Sequence, residues 1–333
     1  METKANYEWI WQGGYNKIPH LEDIEEIMEC QRVVVMEKIH GLCWLVGCRP
    51  GEQEILYADR WQIHNAASPL GHIVDWFDRQ TSWVASIHQL TEQVHTPVVV
   101  MGEVFGNKIY GDAATDSYGT LIPYLDYGCE MDFRIHDLRL QGRQVDWCKL
   151  ENLVQSVNLP LAPVFYTGRP DLSIFEALLG KAELVKNSRQ GEGIIIRSDP
   201  LAVNNCGQVL IGKMKVGEYA EVNSQTNQPI PVPVRASPTE KLAIEYATQQ
   251  RVAKGVARLI AAGTYHLTRE VLFPLTDIVV EDIRSEAAKA WTETLAVEPE
   301  GEAALHREIQ RIVKYWLEQA LRQKLIDSVK TER

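Results

Sequence analysis

The chain has 333 residues, of which 45% are hydrophobic and 24% are charged, and its net charge is -11. This length exceeds the usual size of one domain, so we expect two domains that each bury a core. The negative charge argues against a protein that coats nucleic acid over a large surface, because phosphate contacts need a local concentration of lysine and arginine. A basic cleft at one site is still compatible with it.

The first fourteen residues lack the basic start and the apolar centre of a signal peptide. No apolar stretch is long enough to cross a bilayer. We therefore expect a soluble, cytoplasmic protein without membrane contacts. The six cysteines form no CxxC pair, which argues against both a zinc site and a disulfide framework.

Short apolar runs bounded by turn residues recur up to about residue 222 and predict strands. They cover residues 32–36, 42–48, 97–101, 131–135, 193–196 and 209–211. Between these runs, residues 73–90 and 172–184 carry apolar side chains at roughly helical spacing. The first part of the chain is therefore predicted to mix helices and strands.

Residues 223–238 are rich in Pro, Ser, Asn and Gln, a composition that neither continues a helix nor fills a central strand. We place the domain boundary there, with a first domain over 1–225, a linker over 226–237 and a helical domain over 238–333. The tetrapeptide from Ser237 to Glu240 has the spacing of a capping box and carries Pro in the first turn. A long helix is predicted to end the chain, over about 302–329.

The pentapeptide Glu37-Lys38-Ile39-His40-Gly41 lies between two predicted strands. A K-x-x-G match alone is weak, because about one is expected by chance in a chain of this length. By itself it favours a surface turn. Its setting raises its significance, since it places a lysine at a strand end and a glycine where the chain must turn tightly.

Four further motifs follow in a fixed order. They are residues 102–106 (GEVFG), 132–138 (DFRIHDL), 192–197 (EGIIIR) and 213–215 (KMK). The series resembles the nucleotidyltransferase motifs of the covalent ligase and capping-enzyme superfamily. The pentapeptide with its histidine is most similar to the RNA ligase 2 family, and the resemblance covers about residues 30–222.

The resemblance implies an α+β fold: an antiparallel two-sheet, ATP-grasp-like nucleotidyltransferase domain that holds ATP between its sheets, followed by a separate all-helical C-terminal domain. It implies an ATP-dependent RNA ligase that uses Mg²⁺, with Mn²⁺ as a substitute. Lys38 would form a lysyl-AMP intermediate, pass AMP to a 5′-phosphate and allow a 3′-hydroxyl to displace it, with nicks in duplex RNA as the expected substrate. An enzyme that heals RNA ends is a conceivable partner, and the oligomeric state is left open.

Lys38 must react as an uncharged amine, which nearby cations and partial burial favour. Lys213 and Lys215 suit this role, because side chains two apart on a strand project from the same face. They would also stabilise charge that develops on the phosphate oxygens. The alternative for this motif is a solvated edge strand.

The resemblance assigns roles to the other motif residues as well. It places Glu37, Ile39, Gly41, Arg60, Glu103, Phe133 and Glu192 at the nucleotide, with Glu192 on the metal or its waters, Glu103 on the ribose and Phe133 stacked on adenine. His40 would assist the phosphate chemistry, and Arg60, with Arg49 as the alternative, would engage phosphates. The plainer alternatives are an exposed turn acid for Glu37, a charged strand end for Glu103, a core residue for Phe133 and a turn residue for His40.

Two positions depart from the family pattern: Leu42-Cys43 stands where relatives tend to carry Thr-Asn, and Arg197 stands where lysine is usual. A DNA ligase or a capping-type enzyme is the nearest rival, and a non-catalytic nucleotide- or RNA-binding protein is a rival of another class. The short segment before Lys38 and the lack of OB-like strands after residue 215 favour RNA ligase. The helical tail could grip duplex RNA, mediate dimerisation or bind a partner.

Overall fold

The computed structural model describes residues 7–11, 18–60, 62–109, 125–186, 190–205, 207–216, 236–263, 269–297 and 301–331. These residues divide into two compact units, one within 1–109 and 125–216 and the other within 217–333. Most of the predicted linker, residues 226–235, lies outside the described residues, so the exact boundary stays a prediction.

The described strands all belong to the first unit and form two antiparallel sheets. They are β1 (Val33–Lys38), β2 (Leu42–Cys48), β3 (Leu56–Ala58), β4 (Ile63–His64), β5 (Val98–Phe105), β6 (Asp132–Leu140), β7 (Arg143–Gln144), β8 (Val164–Gly168), β9 (Gly193–Ser198) and β10 (Ile211–Lys215). The four-stranded sheet has the order β10-β9-β1-β8, and the six-stranded sheet has the order β4-β3-β2-β5-β6-β7. This confirms the predicted antiparallel two-sheet architecture.

Alternation along β1 and β9 gives the four-stranded sheet one apolar face. Val33, Val35, Ile194 and Ile196 point to this face and pack with Phe175. Two short 3₁₀ helices, Leu21–Asp23 and Glu25–Glu29, add Leu21, Ile24 and Ile27 to the same cluster. The alternate residues of β1 and β9 point to the opposite face of the sheet. The charged ends of β1 and β10 emerge on that face.

Helices of the first unit are shorter than the sequence predicts. They are α1 (Gly71–Arg79), α2 (Thr81–Val94), α3 (Trp147–Ser156) and α4 (Leu172–Leu178). The helix predicted over 73–90 is two helices, because Gln80 leaves the helical conformation with ψ of 61°. The helix predicted over 172–184 ends at Leu178, where Leu179 is extended and Gly180 adopts a φ of 86°. Glycine tolerates this left-handed conformation and so stops helices.

The second unit is helical throughout its described residues. Its helices are α5 (Pro238–Tyr246), α6 (Gln249–Ala261), α7 (Leu272–Glu286), α8 (Ala288–Val297) and α9 (Gly301–Thr331). The predicted capping box is present: the Ser237 hydroxyl accepts from the Glu240 backbone N–H at 3.2 Å, and the Glu240 carboxylate accepts from the Ser237 N–H at 2.8 Å. Apolar faces of all five helices form one core. Among the described residues, no helix is both long and apolar enough to cross a membrane.

Candidate active site

Lys38 and Lys215 end two strands that flank β9. In the register of the sheet, both residues lie opposite Gly193. Because residues directly opposite each other share a face of the sheet, the two amines emerge on the same side. A side chain at Gly193 would collide with the Met214 carbonyl oxygen and approach the Lys215 Cα within 2.9 Å. Glycine therefore lets β10 lie close to the start of β9.

Glu192 lies at the centre of the charged cluster. Its Oε2 is 2.9 Å from Lys38 Nζ and its Oε1 is 2.9 Å from Lys215 Nζ. His40 Nδ1 lies 3.3 Å from the same Oε2. Burial alone would raise the pKa of Glu192, but the two ammonium groups and His40 outweigh burial and hold the pKa well below its usual range. The carboxylate is therefore ionised while buried.

Lys213 is also buried, two residues before Lys215 on β10. The alternation of the strand puts both lysines on the charged face, while Met214 packs into the apolar cluster on the opposite face. The backbone N–H of Lys213 donates to the Pro19 carbonyl at 2.9 Å. The KMK motif is thus anchored on its apolar face by Met214 and along its edge by the bond to Pro19.

His40 is fixed by a tyrosine that the sequence motifs did not single out. Its backbone N–H donates to Tyr127 Oη at 2.7 Å, and the Tyr127 ring packs edge-on against Phe105 at 4.6 Å. Ile39, the preceding residue, is buried, with an exposed fraction of 5%. A side chain at Gly41 would collide with the Val104 carbonyl oxygen, so glycine allows the turn into β2 to pass β5 closely.

Glu37 is buried, so it is not the exposed turn acid that the plainer reading predicts. Its Oε2 accepts from the backbone N–H groups of Glu183 at 2.9 Å and Leu184 at 3.3 Å. Its Oε1 is buried without a hydrogen-bond partner among the described residues. Burial raises the pKa of Glu37, and the two backbone donors oppose this effect. Oε2 of Glu37 thus anchors the backbone at Glu183 and Leu184, and Oε1 is a buried acceptor to which a ligand can donate.

Glu103 on β5 belongs to the same charged region. Burial raises its pKa to about 7, although the positive charges of Lys38 and Arg60 lower it and Glu192 raises it further. Arg60 follows β3 and is only partly buried. Arg49, the alternative phosphate ligand, instead stacks over the Trp9 ring at 4.8 Å and lies 3.6 Å from Glu52. The geometry therefore favours Arg60.

Phe133 does not lie at the charged cluster. It is opposite Val104 in the register and therefore on the other face of the sheet from Glu103. Its ring packs edge-on against Phe77 at 5.0 Å and is 2% exposed. This placement favours the alternative of a core residue over stacking on adenine, because a ring inside the core offers no face to a base.

Arg197, which stands at the usual lysine position, ties the two sheets together. Its guanidinium donates to the carbonyl oxygens of His136 at 3.1 Å and Val145 at 2.9 Å, and it lies 3.4 Å from the Asp137 carboxylate. The side chain is 1% exposed. The departure from lysine thus gives a planar group that reaches several acceptors of the facing sheet at once.

The sequence model of the RNA ligase family matches residues 31–215, more than half of the chain. The protein therefore belongs to the RNA ligase family. The comparison with curated proteins returned no match.

Solved structures with a similar fold include Naegleria gruberi RNA ligase with pyrophosphate and a mutant of it with AMP and Mn, each at a TM-score of 0.45 and 16% identity. Each alignment covers 62% of this chain and 56% of the other. A further mutant with ATP and Mn gives a TM-score of 0.45 at 16% identity over 61% of this chain and 55% of the other. The chain thus spans little more than half the length of these proteins.

Proposed function

We propose that the protein is an ATP-dependent RNA ligase that seals 3′-hydroxyl and 5′-phosphate RNA ends, with nicks in duplex RNA as its substrate. The observation that carries this proposal is the contact of Glu192 with both Lys38 and Lys215, at 2.9 Å each. It combines a nucleophile, a second cation and a buried ionised carboxylate in one place. Family membership supports the same chemistry.

The residues present suit ATP and a divalent cation. Glu37 Oε1 is a buried acceptor without a partner among the described residues, and it can accept from the donors of adenine or ribose. The ionised carboxylate of Glu192 is a hard oxygen ligand, as Mg²⁺ and Mn²⁺ prefer. A cation held by Glu192 and phosphate oxygens would neutralise charge on the phosphates. Relatives solved with ATP, AMP and Mn are in keeping with this choice of ligands.

Lys38 has to lose its proton before it attacks. The depressed pKa of Glu192 makes that carboxylate a poor proton acceptor, so it acts as a charge partner rather than as a base. Once Glu192 serves another cation, the Lys38 amine is released from this ion pair and can turn toward the phosphate. With 18% of its side chain exposed, Lys38 is accessible to a nucleotide.

The reaction then has three in-line displacements at phosphorus. The Lys38 amine attacks the α-phosphorus of ATP, forms a phosphoramidate with AMP and releases pyrophosphate. An oxygen of the RNA 5′-phosphate attacks the AMP phosphorus and releases Lys38. The 3′-hydroxyl finally attacks the 5′-phosphorus, forms the phosphodiester and releases AMP. Lys213, Lys215 and Arg60 can stabilise the same phosphate oxygens in each step, since the groups are already oriented.

The test is to incubate the full chain with α-labelled ATP and Mg²⁺ and to look for label that survives a denaturing gel. Wild type should carry the label, and Lys38→Ala should not. Lys149→Ala is the matched control, because Lys149 is an exposed lysine of the same unit, on α3. Its label should equal that of wild type.

Other outcomes separate the rivals. An adduct with GTP instead of ATP would indicate a capping-type enzyme. Sealing of nicked DNA but not nicked RNA would indicate a DNA ligase. Absence of an adduct with both nucleotides would contradict an enzyme and favour a non-catalytic binding protein. We further propose that residues 226–237 link the nucleotidyltransferase unit to the helical unit.

A further inference from the structure

Three potential metal ligands from three neighbouring strands meet in the first unit. They are Cys43 on β2, Glu103 on β5 and His136 on β6, and their Sγ, carboxylate oxygen and imidazole nitrogen all lie within 4.8 Å of one another. Cys43 and Glu103 lie directly opposite each other in the register. Residues in that relation share a face of the sheet, so their side chains point the same way.

The third side chain, His136, lies at a β-bulge on the same face of the sheet. Between β5 and β6, Gly102 lies opposite Ile135, but the residue before Gly102, Met101, lies opposite Asp137. His136 is therefore the extra residue of the bulge. Bulges re-aim side chains and are frequent next to functional sites. Arg134 lies opposite Glu103, and His136, two residues further along β6, shares that face, so the imidazole lies beside Glu103.

The three groups form a chemically suitable set. Thiolate, imidazole and carboxylate are the ligands of Zn²⁺ and similar borderline-soft ions, whereas Mg²⁺ prefers oxygen alone. Two of them are anionic when they coordinate, which balances a divalent charge. The neutral imidazole is the form of histidine that coordinates a metal ion.

Geometry and access are also compatible with an ion. Bonds of about 2.0–2.3 Å place tetrahedral ligand atoms roughly 3.3–3.8 Å apart, so separations of at most 4.8 Å have to shrink by no more than about 1.5 Å. Rotation of the half-buried Glu103 and His136 side chains can supply that movement, and the same two residues leave a path from solvent. Cys43 is 6% exposed and closes the inner side.

We propose that Cys43, Glu103 and His136 bind Zn²⁺ or another thiophilic divalent ion, at a site distinct from the Mg²⁺ ligand Glu192. Such an ion has three protein ligands and keeps its fourth position for water or a ligand atom. Lys38 and Arg60 act electrostatically on both Glu103 and His136. Their positive charge keeps the affinity below that of a structural zinc site.

A consequence follows that rests on the proposed function. If Glu103 contacts the ribose of ATP, an ion that recruits its carboxylate competes with the nucleotide. Zn²⁺ should then inhibit labelling of Lys38, and it should do so through the thiol of Cys43.

The direct test uses the full chain without nucleotide and titrates it with Co²⁺, which reports a thiolate ligand by charge-transfer absorption in the near ultraviolet. Wild type should show the absorption at one ion per chain and lose it when Zn²⁺ is added. Cys43→Ser should lose the absorption and bind at least ~100-fold more weakly, since even loss of a supporting residue costs about 10–100-fold. His136→Gln should weaken binding while the absorption persists at saturation.

Cys48→Ser is the matched control. Cys48 is a second buried cysteine of β2 with a histidine nearby, its Sγ lying 3.3 Å from His88 Nδ1. This variant should behave as wild type. A wild type without the absorption at millimolar Co²⁺, or an absorption that survives in Cys43→Ser, would overturn the site. Circular dichroism and thermal unfolding must show that each variant is folded.

Inhibition is measured in parallel by labelling Lys38 with increasing Zn²⁺ at fixed ATP and Mg²⁺. The half-inhibiting concentration should rise at least tenfold in Cys43→Ser. Equal inhibition of both proteins would overturn the competition with ATP. The Co²⁺ titration tests metal binding even if the wild type forms no AMP adduct on Lys38. Failure of the metal site and failure of the ligase proposal are therefore distinguishable.

Discussion

Each unit of the protein contains a buried central charge that contacts two groups of the opposite sign, and the two clusters are inverse in sign. In the first unit a single carboxylate, Glu192, contacts the ammonium groups of Lys38 and Lys215. In the helical unit a single guanidinium, Arg251 on α6, contacts the carboxylates of Asp282 and Glu286 on α7. Both central groups are almost completely buried.

The chemistry of the outer members separates a candidate site from a structural clamp. Arg251 joins two packed helices, and neither of its partners is a nucleophile. Lys38 ends a strand, and 18% of its side chain is exposed, so a substrate can reach it. Burying an ion pair adds little net stability, but removing one member is costly because the other stays buried and uncompensated. Loss of the central charge should therefore destabilise both units, and in the first unit it should also slow the chemistry.

The largest expected effect is that of Glu192→Gln, which keeps the shape and removes the charge. Labelling of Lys38 by ATP should slow by about 10²–10³-fold, as for loss of one group that stabilises developing charge. The rate is measured from label incorporated at saturating ATP. Glu183→Gln, at an exposed carboxylate 3.5 Å from Lys181, should change the rate by less than about twofold. A wild-type rate in Glu192→Gln would mean that this cluster, like that of Arg251, is only structural.

The counterpart is Arg251→Met in the helical unit. The carboxylates of Asp282 and Glu286, with 20% and 8% of their side chains exposed, would lose the positive charge of Arg251, so we expect the free energy of unfolding to fall by about 3 kcal/mol. Denaturant unfolding of the full chain, followed by circular dichroism, measures this loss. Labelling of Lys38 per folded molecule should be unchanged. Slower labelling in the folded variant would contradict the assignment of this cluster to architecture.

A smaller effect is expected from Gly193→Ala. The new methyl group would meet the backbone of Met214 and Lys215, so β10 must move away from β9 and shift Lys215. We expect a loss of about 2 kcal/mol of stability together with slower labelling of Lys38. Gly207→Ala is the control, because Gly207 also has a positive φ, 76°, but nothing lies within 4 Å of the added atom. It should cost about 1 kcal/mol and leave labelling intact.

These variants also show what the sequence could and could not predict. Alternation within β10 is local, so the placement of Lys213 and Lys215 on one face and Met214 on the other followed from the sequence. The position of Gly193 between Lys38 and Lys215 did not, because it depends on β9 pairing with two strands distant in sequence.

The cluster of Cys43, Glu103 and His136 depends on non-local pairing in the same way. The three residues come from three strands and show no metal-binding spacing, and only the pairing of β5 with β2 and β6 brings them together. The lack of a CxxC pair therefore gave no guide to this cluster. The face of the sheet on which Phe133 lies is likewise set by the register with β5 rather than by the motif that contains it.

The smallest prediction compares Glu192 with Glu37, the other buried carboxylate near Lys38. Burial raises the pKa of Glu37 above its ordinary value of 4.5, whereas the pKa of Glu192 is held low. With a raised folded-state pKa, the stability that Glu37 contributes is fully present below pH 4.5 and is lost as the pH rises through the folded-state pKa.

Glu37→Gln removes this titration and keeps an acceptor for the backbone N–H groups of Glu183 and Leu184. The difference in unfolding free energy between variant and wild type should therefore shift in favour of the variant as the pH rises above 4.5. This difference cannot change by more than about 1.4 kcal/mol per pH unit, since one proton is involved. Denaturant unfolding at several pH values measures it. A slope of the opposite sign would mean that Glu37, like Glu192, is stabilised in its ionised form.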